Sequence, residues 1–464
     1  MKKAFVLSSV CVGLLFGCAD VHVAEYQRPE AAAKATWSRP PPAVSATETI
    51  SPQWWEQFDD PYLDSLVAKA IAGNVALKNL AARIGVANAQ IAEARAGALP
   101  SMDIGAASFL QPTTGQGYGK QFAAGTRVSW DIDIWGQVEK GAQGQTAEFH
   151  ATEADWRAGY LQIVANVSTT YFRILQLDDQ IDQQQRALSK NAQILAIYET
   201  MRSNGLKSDS EVGRQRAENS RLSKDLLELR RSRDVTENAL ATLVGAPAGE
   251  LKIQPGALLD RVEVPAVPAG LPLDLLARRP DVVAAEFRVL EAHDLMGQAR
   301  LAQLPTISLT GSAGTASFAL SDLARVFTFG IMPSINIPAF NPGIKARVKT
   351  TEAQIKVAEE DYRRTVMTAF EEVENALVDL DAHRRQREEL QNQVDQLQAV
   401  SAQTEAKLQV GVVSQLEVLE DERRLLTAQL ELLASHQQVL SDTVTLYKAL
   451  GGGWARVEVA NAGR

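Results

Sequence analysis

Gly205-Leu206-Lys207-Ser208-Asp209-Ser210-Glu211-Val212 and Gly411-Val412-Val413-Ser414-Gln415-Leu416-Glu417-Val418 are one octet written twice, 206 positions apart. In each copy a glycine precedes a serine by three residues, and the serine precedes a glutamate by three. Glycine accepts the left-handed backbone that ends many helices. The S-x-x-E spacing is the capping box that starts one. Each octet therefore predicts a helix–turn–helix corner, with Gly205, Leu206 and Ser208 at the first tip and Gly411, Val412 and Ser414 at the second.

The same offset holds well beyond the octet. Leu99-Pro100 matches Leu304-Pro305 at 205, Gly136 matches Gly343 at 207, and Gly245 matches Gly451 at 206. A unit of about 200 residues is a duplication and not a short-repeat solenoid. Proline is absent from Thr113 to Ala246 and from Gly343 to the end. Since proline costs about 3 kcal/mol inside a helix, both stretches are free to form long ones. Helices are predicted over 137–203, 209–244, 344–409 and 415–450, the first about 100 Å long at 1.5 Å per residue. Shorter helices are predicted over 61–98, with a break near Gly73-Asn74, and over 280–303. Along the last long helix, Leu416, Leu419, Leu426, Leu430 and Leu433 mark an apolar face.

Four segments alternate with period two, the mark of a strand. Val128, Trp130, Ile132 and Ile134 alternate with Arg127, Ser129, Asp131 and Asp133. Ile307 and Leu309 alternate with Thr306, Ser308 and Thr310. Phe329, Ile331, Ile335 and Ile337 lie opposite Ser334 and Asn336, and 101–109 is the weakest of the four. Each is about 9–11 residues long, the reach of a membrane β-strand. The intervening loops are expected at 111–124 and 315–328, with Pro338 and Pro342 at the last strand-to-helix junction. If the strands lie in a membrane, their sheet must close. Four strands are too few for a barrel, so several chains must share one. Two chains give eight strands with an interior filled by side chains; three give twelve and a passage. The alternative is a pair of soluble hairpins on a periplasmic body.

Composition narrows the chemistry. The formal net charge of -9 argues against a nucleic-acid binder. Five histidines and two cysteines leave little for metal clusters, and His22, His150, His293, His383 and His436 are scattered. No nucleophile–base pair or phosphate loop stands out, so no enzyme and no cofactor are expected. The mean hydropathy of -0.13 is too low for a bundle of membrane helices.

At the N-terminus Lys2 and Lys3 precede the apolar stretch 4–16, a secretory signal pattern. Leu15-Phe16-Gly17-Cys18 resembles a bacterial lipobox, which implies cleavage after residue 17 and a lipid, palmitate included, on Cys18. An ordinary signal peptide with an incidental cysteine is the alternative. Loss of residues 1–17 removes two lysines and no acid, taking the charge from -9 to -11. Ala19 in place of aspartate favours sorting to the outer membrane.

Five further motifs are Trp54-Trp55 with Phe58-x-Asp60-Pro61-x-Leu63; Ser129-Trp130-Asp131-x-Asp133-x-Trp135-Gly136; Leu275-Leu276-x-Arg278-Arg279-Pro280-Asp281; Leu304-Pro305-x-Ile307-x-Leu309; and Tyr447-Lys448-Ala449-Leu450-Gly451-Gly452-Gly453-Trp454. On these the chain closely resembles the TolC family of outer-membrane efflux proteins, in its OprM/NodT lipoprotein branch. Asn341-Pro342-Gly343 stands where that family usually has a glycine pair.

The resemblance implies a mainly α fold with a small β part. Long helical hairpins from three chains form an α-barrel continuous with a shared 12-stranded transmembrane β-barrel. It implies a lipid-anchored outer-membrane protein with a large periplasmic portion. As the passive exit duct of a tripartite efflux pump, it would carry small molecules such as drugs, beside a periplasmic adaptor and an inner-membrane transporter of RND type. An exit duct for type I protein secretion shares the fold, and a poreless coiled-coil lipoprotein is the third reading. The chain divides accordingly into a signal (1–17), a lipidated segment (18–60), a first repeat (61–245, hairpin 101–135), a proline-rich equatorial linker (246–272), a second repeat (273–450, hairpin 306–338) and a tail (451–464).

The resemblance also implies roles for residues. The two tips match the family's adaptor-docking motif, against capping alone. The family's L-x-x-x-D-x-x-R constriction falls on Leu416, Glu420 and Arg423, with glutamate for aspartate. The competing reading is an exposed helix pairing Glu420 with Arg423 or Arg424. Ser210 and Arg214, the first-half equivalents, lack that character. Trp130 and Trp135 suit membrane interfaces, or packing between subunits.

Overall fold

In a computed structural model, residues 26–30, 36–38, 50–113, 117–258, 262–268, 278–323, 325, 327–338 and 340–454 are described. Cys18 and the signal region, residues 259–261 and 269–272 of the linker, and the tail after Trp454 lie outside them. The elements run α1 (Pro61–Gly73), α2 (Val75–Ala96), β1 (Ser101–Thr113), β2 (Gly117–Ile132), α3 (Gln137–Ser203) and α4 (Asp209–Leu243) in the first half. The second half has α5 (Pro280–Leu301), β3 (Thr306–Ser317), β4 (Thr328–Asn336), α6 (Pro342–Gln409) and α7 (Gln415–Ala449).

Local chemistry sets these boundaries. Asp60 caps α1 by accepting from the backbone N–H of Tyr62 at 2.9 Å, with Pro61 as the first helical residue. Asn74 closes α1 and caps α2 through the N–H of Leu77, so the expected break is a change of helix. Asn341 caps α6 in the same way and Pro342 opens it. The strand expected to reach Trp135 instead stops at Ile132. Asp133 turns inward and accepts from the N–H groups of Gln137, Val138 and Glu139 at 2.7–3.1 Å, which caps α3.

The strands form one antiparallel sheet in the order β1-β2-β3-β4. The expected loop at 111–124 is mostly strand, because β1 continues to Thr113 and β2 resumes at Gly117. The second loop is longer, from Phe318 to Phe327, with a 3-10 turn at Leu320–Asp322. Neither β1 nor β4 has a partner on its outer edge among the described residues.

The helices lie side by side as a wall. Next to the sheet the order is α2, α3, α5, α6; at the far end it is α4, α3, α7, α6. Between the two levels sits the main core. A 3-10 turn at Trp54–Phe58 drives Trp54 and Phe58 among Phe172 and Tyr447, with the Trp54 and Tyr447 rings stacked at 5.0 Å. Each such aromatic, fully buried, contributes about 1.5–3 kcal/mol. Tyr171 donates to Asp60 at 2.7 Å, so the α1 cap is also a core hydrogen bond. No helix among the described residues is long and apolar enough to cross a membrane.

Candidate functional site

The two tips are built alike and finished differently. Gly205 and Gly411 adopt φ of 74° and 75°. At the first tip the N–H of Leu206 reaches back to Met201 O at 2.9 Å; at the second, Val412 reaches Lys407 O at 3.0 Å. At the first tip the capping box is complete: the Glu211 N–H donates to Ser208 Oγ, and the Ser208 N–H to Glu211 Oε2 at 2.9 Å. Lys207 Nζ adds a 2.7 Å bond to Glu211 and sits 4.7 Å from the Tyr198 ring. Lys207 first, then the Ser208 bonds, hold the Glu211 carboxyl down at about 2.

The second tip has only half the expected box. Ser414 Oγ accepts from the Glu417 N–H at 3.4 Å, while the return bond to the Ser414 N–H is absent. Its outer surface is aliphatic, with Val410 74%, Val412 71% and Leu416 67% exposed. The first tip shows one such residue, Leu206, amid charges.

Beside the tips a groove of about 410 Å³ opens between α3, α4 and α7, lined by Asn191, Arg214, Glu218, Leu416, Glu420 and Arg423 among others. Arg423 grips Glu420 with two bonds, of 2.8 and 3.2 Å, and Arg424 lies 3.4 Å from the same carboxylate. The pair within one helix is therefore present. Arg423 is the main cause holding the Glu420 carboxyl below its usual range. The expected leucine face divides. Leu416, Leu419 and Leu426 line this groove, while Val418, Ala428, Leu432 and Leu433 are the buried residues of that stretch.

Sequence reasoning missed what faces the pair. Arg221 on α4 holds Glu218 at 2.6 Å and Asp225 at 3.0 Å, and the charges of Arg221 and Glu218 act on Arg423. Lys190 on α3 pairs with Glu422 on α7. The first half thus contributes to the groove not only Arg214 but also charges one and two turns beyond it, Glu218 and Arg221. The offset of 206 pairs Glu420 with Arg214 and gives no signal for Glu218 or Arg221.

Trp130 and Trp135 stand at the helical end of the sheet. Trp130 Nε1 donates to Ala98 O at 2.8 Å, and Trp135 Nε1 to Pro305 O at 2.7 Å. Each indole thus ties β2, or the turn after it, to one of the two Leu-Pro corners.

The sheet's register separates two faces, because directly paired residues share a side. Met102 pairs with Val128, Val128 with Gly311, and Gly311 with Ile331. The same side carries Ile104, Trp130, Leu309, Phe329 and Ile335, and Phe329 is 84% exposed. The opposite side carries Ser101, Asp103, Arg127, Ser129, Asp131, Ser308, Ser312 and Asn336. Met332 is its large apolar exception among the described side chains. One face suits hydrocarbon and the other water.

A sheet wet on one side, oily on the other and open at both edges, standing on helices about 100 Å long, defines a membrane-channel subunit. The chain belongs to the outer membrane efflux protein family, whose model matches residues 66–246 and 271–452. It is 31% identical to the probable efflux pump outer membrane protein TtgC of Pseudomonas putida, covering 98% of this chain and 96% of that one. It is 32% identical to the solvent efflux pump outer membrane protein SrpC of Pseudomonas putida, covering 95% and 97%. Among solved structures, CusC superposes with a TM-score of 0.81 at 27% identity over 93% of this chain and 99% of that one. The open-state MtrE outer membrane channel of Neisseria gonorrhoeae gives 0.81 at 26%, covering 93% and 98%. The protein is an outer-membrane efflux channel with its long helices in the periplasm.

Proposed function

We propose that three copies of this chain form the passive exit duct of a tripartite pump, passing small molecules outward from an inner-membrane transporter of RND type through a periplasmic adaptor. The observation that carries this is the two-faced sheet with free edges on β1 and β4. In lipid each edge must find a strand, and joining β4 of one copy to β1 of the next closes twelve strands at three copies. The helical wall supports the same closure, since α4 and α6 are its outer members at the far end. The names of similar proteins point to solvent and antibiotic efflux, and small organic molecules are the proposed cargo here. Lipid on Cys18 would anchor the chain beside its barrel.

In this reading Gly205, Leu206 and Ser208, with Gly411, Val412 and Ser414, present the adaptor-docking tips. Leu206 and Val412 have no structural burden there, being exposed. Leu206→Asp with Val412→Asp should leave the trimer intact and abolish cross-linking to the adaptor; unchanged cross-linking sinks the docking role. Leu416, Glu420 and Arg423 would narrow the duct, three carboxylates near the axis attracting cations. Glu420→Ala should then raise conductance and weaken cation preference in planar bilayers. A poreless lipoprotein gives no conductance at all. A protein-secretion duct separates from a pump duct by whether a deletion strain gains drug sensitivity.

A further inference from the structure

The polar face of the sheet carries three charged residues among its described side chains, Asp103, Arg127 and Asp131. The register places Asp103 directly opposite Arg127, and Arg127 opposite Ser312. Asp131 lies four residues further along β2, about 13 Å toward the helices. The next row outward is Gly105, Gly125 and Gly314, all in register across three strands. Two of the three are held bare by contact: a Cβ on Gly125 would lie 2.8 Å from Ala313 O, and one on Gly314 2.8 Å from Ala124 O, while the space beside Gly105 is open. The result is a hollow of about 590 Å³ with Asp103 and Arg127 on its wall and small residues around them. Both charged side chains are exposed.

We propose that Asp103, Arg127 and Asp131 form a charged ring in the lumen of the β-barrel that sets the ion preference of the duct's outer end. This rests on the trimeric duct reading, because only barrel closure turns the polar face inward. Two aspartates against one arginine leave one net negative charge per chain, and three per trimer. The bare row outside the ring leaves no longer side chain to cover it from the exterior. Such a ring acts on ions within about one Debye length, about 30 Å at 0.01 M salt and about 3 Å at 1 M. Its effect belongs to dilute solution and fades in concentrated salt.

The test is the reversal potential of purified full-length trimers in planar bilayers under a dilute potassium chloride gradient. Wild type should prefer cations, Arg127→Gln should shift the potential further to the cation side, and Asp103→Asn with Asp131→Asn should move it toward anions. All three should converge near 1 M salt. Channels that conduct with the same potential in every variant overturn the ring while leaving the duct intact. A wild type without conductance counts instead against the duct. A second measurement survives poor assembly of the charge variants. In proteoliposomes, Arg127→Cys should react with a membrane-impermeant thiol reagent, and Val128→Cys, one residue along on the apolar face, should be protected. Equal labelling at the two positions would overturn the face assignment and with it the proposal.

Discussion

His436 shows how a single buried side chain sets a pH limit. It is 7% exposed, and its Nδ1 lies 3.2 Å from Arg387 Nη1. A guanidinium only donates, so Nδ1 accepts and the ring is neutral, with its proton on Nε2. Nε2 itself has no hydrogen-bond partner among the described residues. Burial first, and Arg387 second, push the imidazole down to about 4. A base whose folded value is depressed favours the unfolded state once protons are available. The stabilisation is complete above about pH 6.5 and declines as pH falls toward 4, by about 3 kcal/mol in all. His436→Gln keeps an acceptor for Arg387 and removes the titration. Its melting temperature should therefore fall less between pH 7 and pH 4.5 than that of the wild type. Equal losses would assign the acid sensitivity elsewhere.

At the scale of elements, the two hairpin tips offer an internal comparison. Ser208 sits in a complete capping box and Ser414 in half of one. Ser208→Ala should cost about 1–2 kcal/mol of local stability and Ser414→Ala less than about 1, read as faster amide exchange in the first turns of α4 and α7. A different joint holds the second repeat together. Arg279, 7% exposed, bonds Asp281 at 2.6 and 2.9 Å, Glu372 on α6 at 2.7 Å and the Ala449 carbonyl that ends α7 at 3.0 Å. Removing one partner of a buried pair costs about 3–5 kcal/mol. Asp281 and Glu372 remain 40% and 41% exposed, so Arg279→Ala should cost nearer about 2–3 kcal/mol. Arg279→Lys should recover little, because an ammonium cannot span four acceptors in one plane; full recovery in denaturant melts would show that charge alone matters. The Arg-Arg-Pro-Asp motif was visible in the sequence, but its partners at 372 and 449 were not. The helices were legible nearly to the residue, because proline, glycine and capping residues act on their own neighbours. Strand lengths were not. The glycine and alanine run before Arg127 reads as loop by composition, yet Gly125 is paired in the sheet, and it is glycine there because the neighbouring strand leaves no room for a Cβ. The groove around Glu420 failed for a related reason: Glu218 and Arg221 reach it through the packing of α7 against the first hairpin.

The whole molecule is incomplete as one chain, and its unfinished surfaces say where the next copy goes. α4 and α6 bound the wall at the far end, and β1 and β4 bound the sheet. All four lie in the same head-to-tail sense, so one rotation satisfies helices and strands together, which is the condition for a closed ring. The outer helices also carry large apolar residues in solvent: Val235 on α4, and Met367, Val378 and Val400 on α6. The last three recur at intervals of 11 and 22 residues, which keeps them on one stripe of a helix. Exposed on a 68-residue helix that already packs against α5 and α7, a stripe of this kind is the mark of a subunit contact. Val235→Glu with Val378→Glu would place charge on both sides of that contact. Neither residue belongs to the buried core of its own protomer, so the protomer should still fold and show its helical circular dichroism. The particle in detergent should fall from about three times the chain mass of 50.4 kDa to that of a single chain, and conductance should vanish with it. If the double variant remains a trimer by light scattering, the wall does not close through α4 and α6, and the strand edges alone must hold the ring.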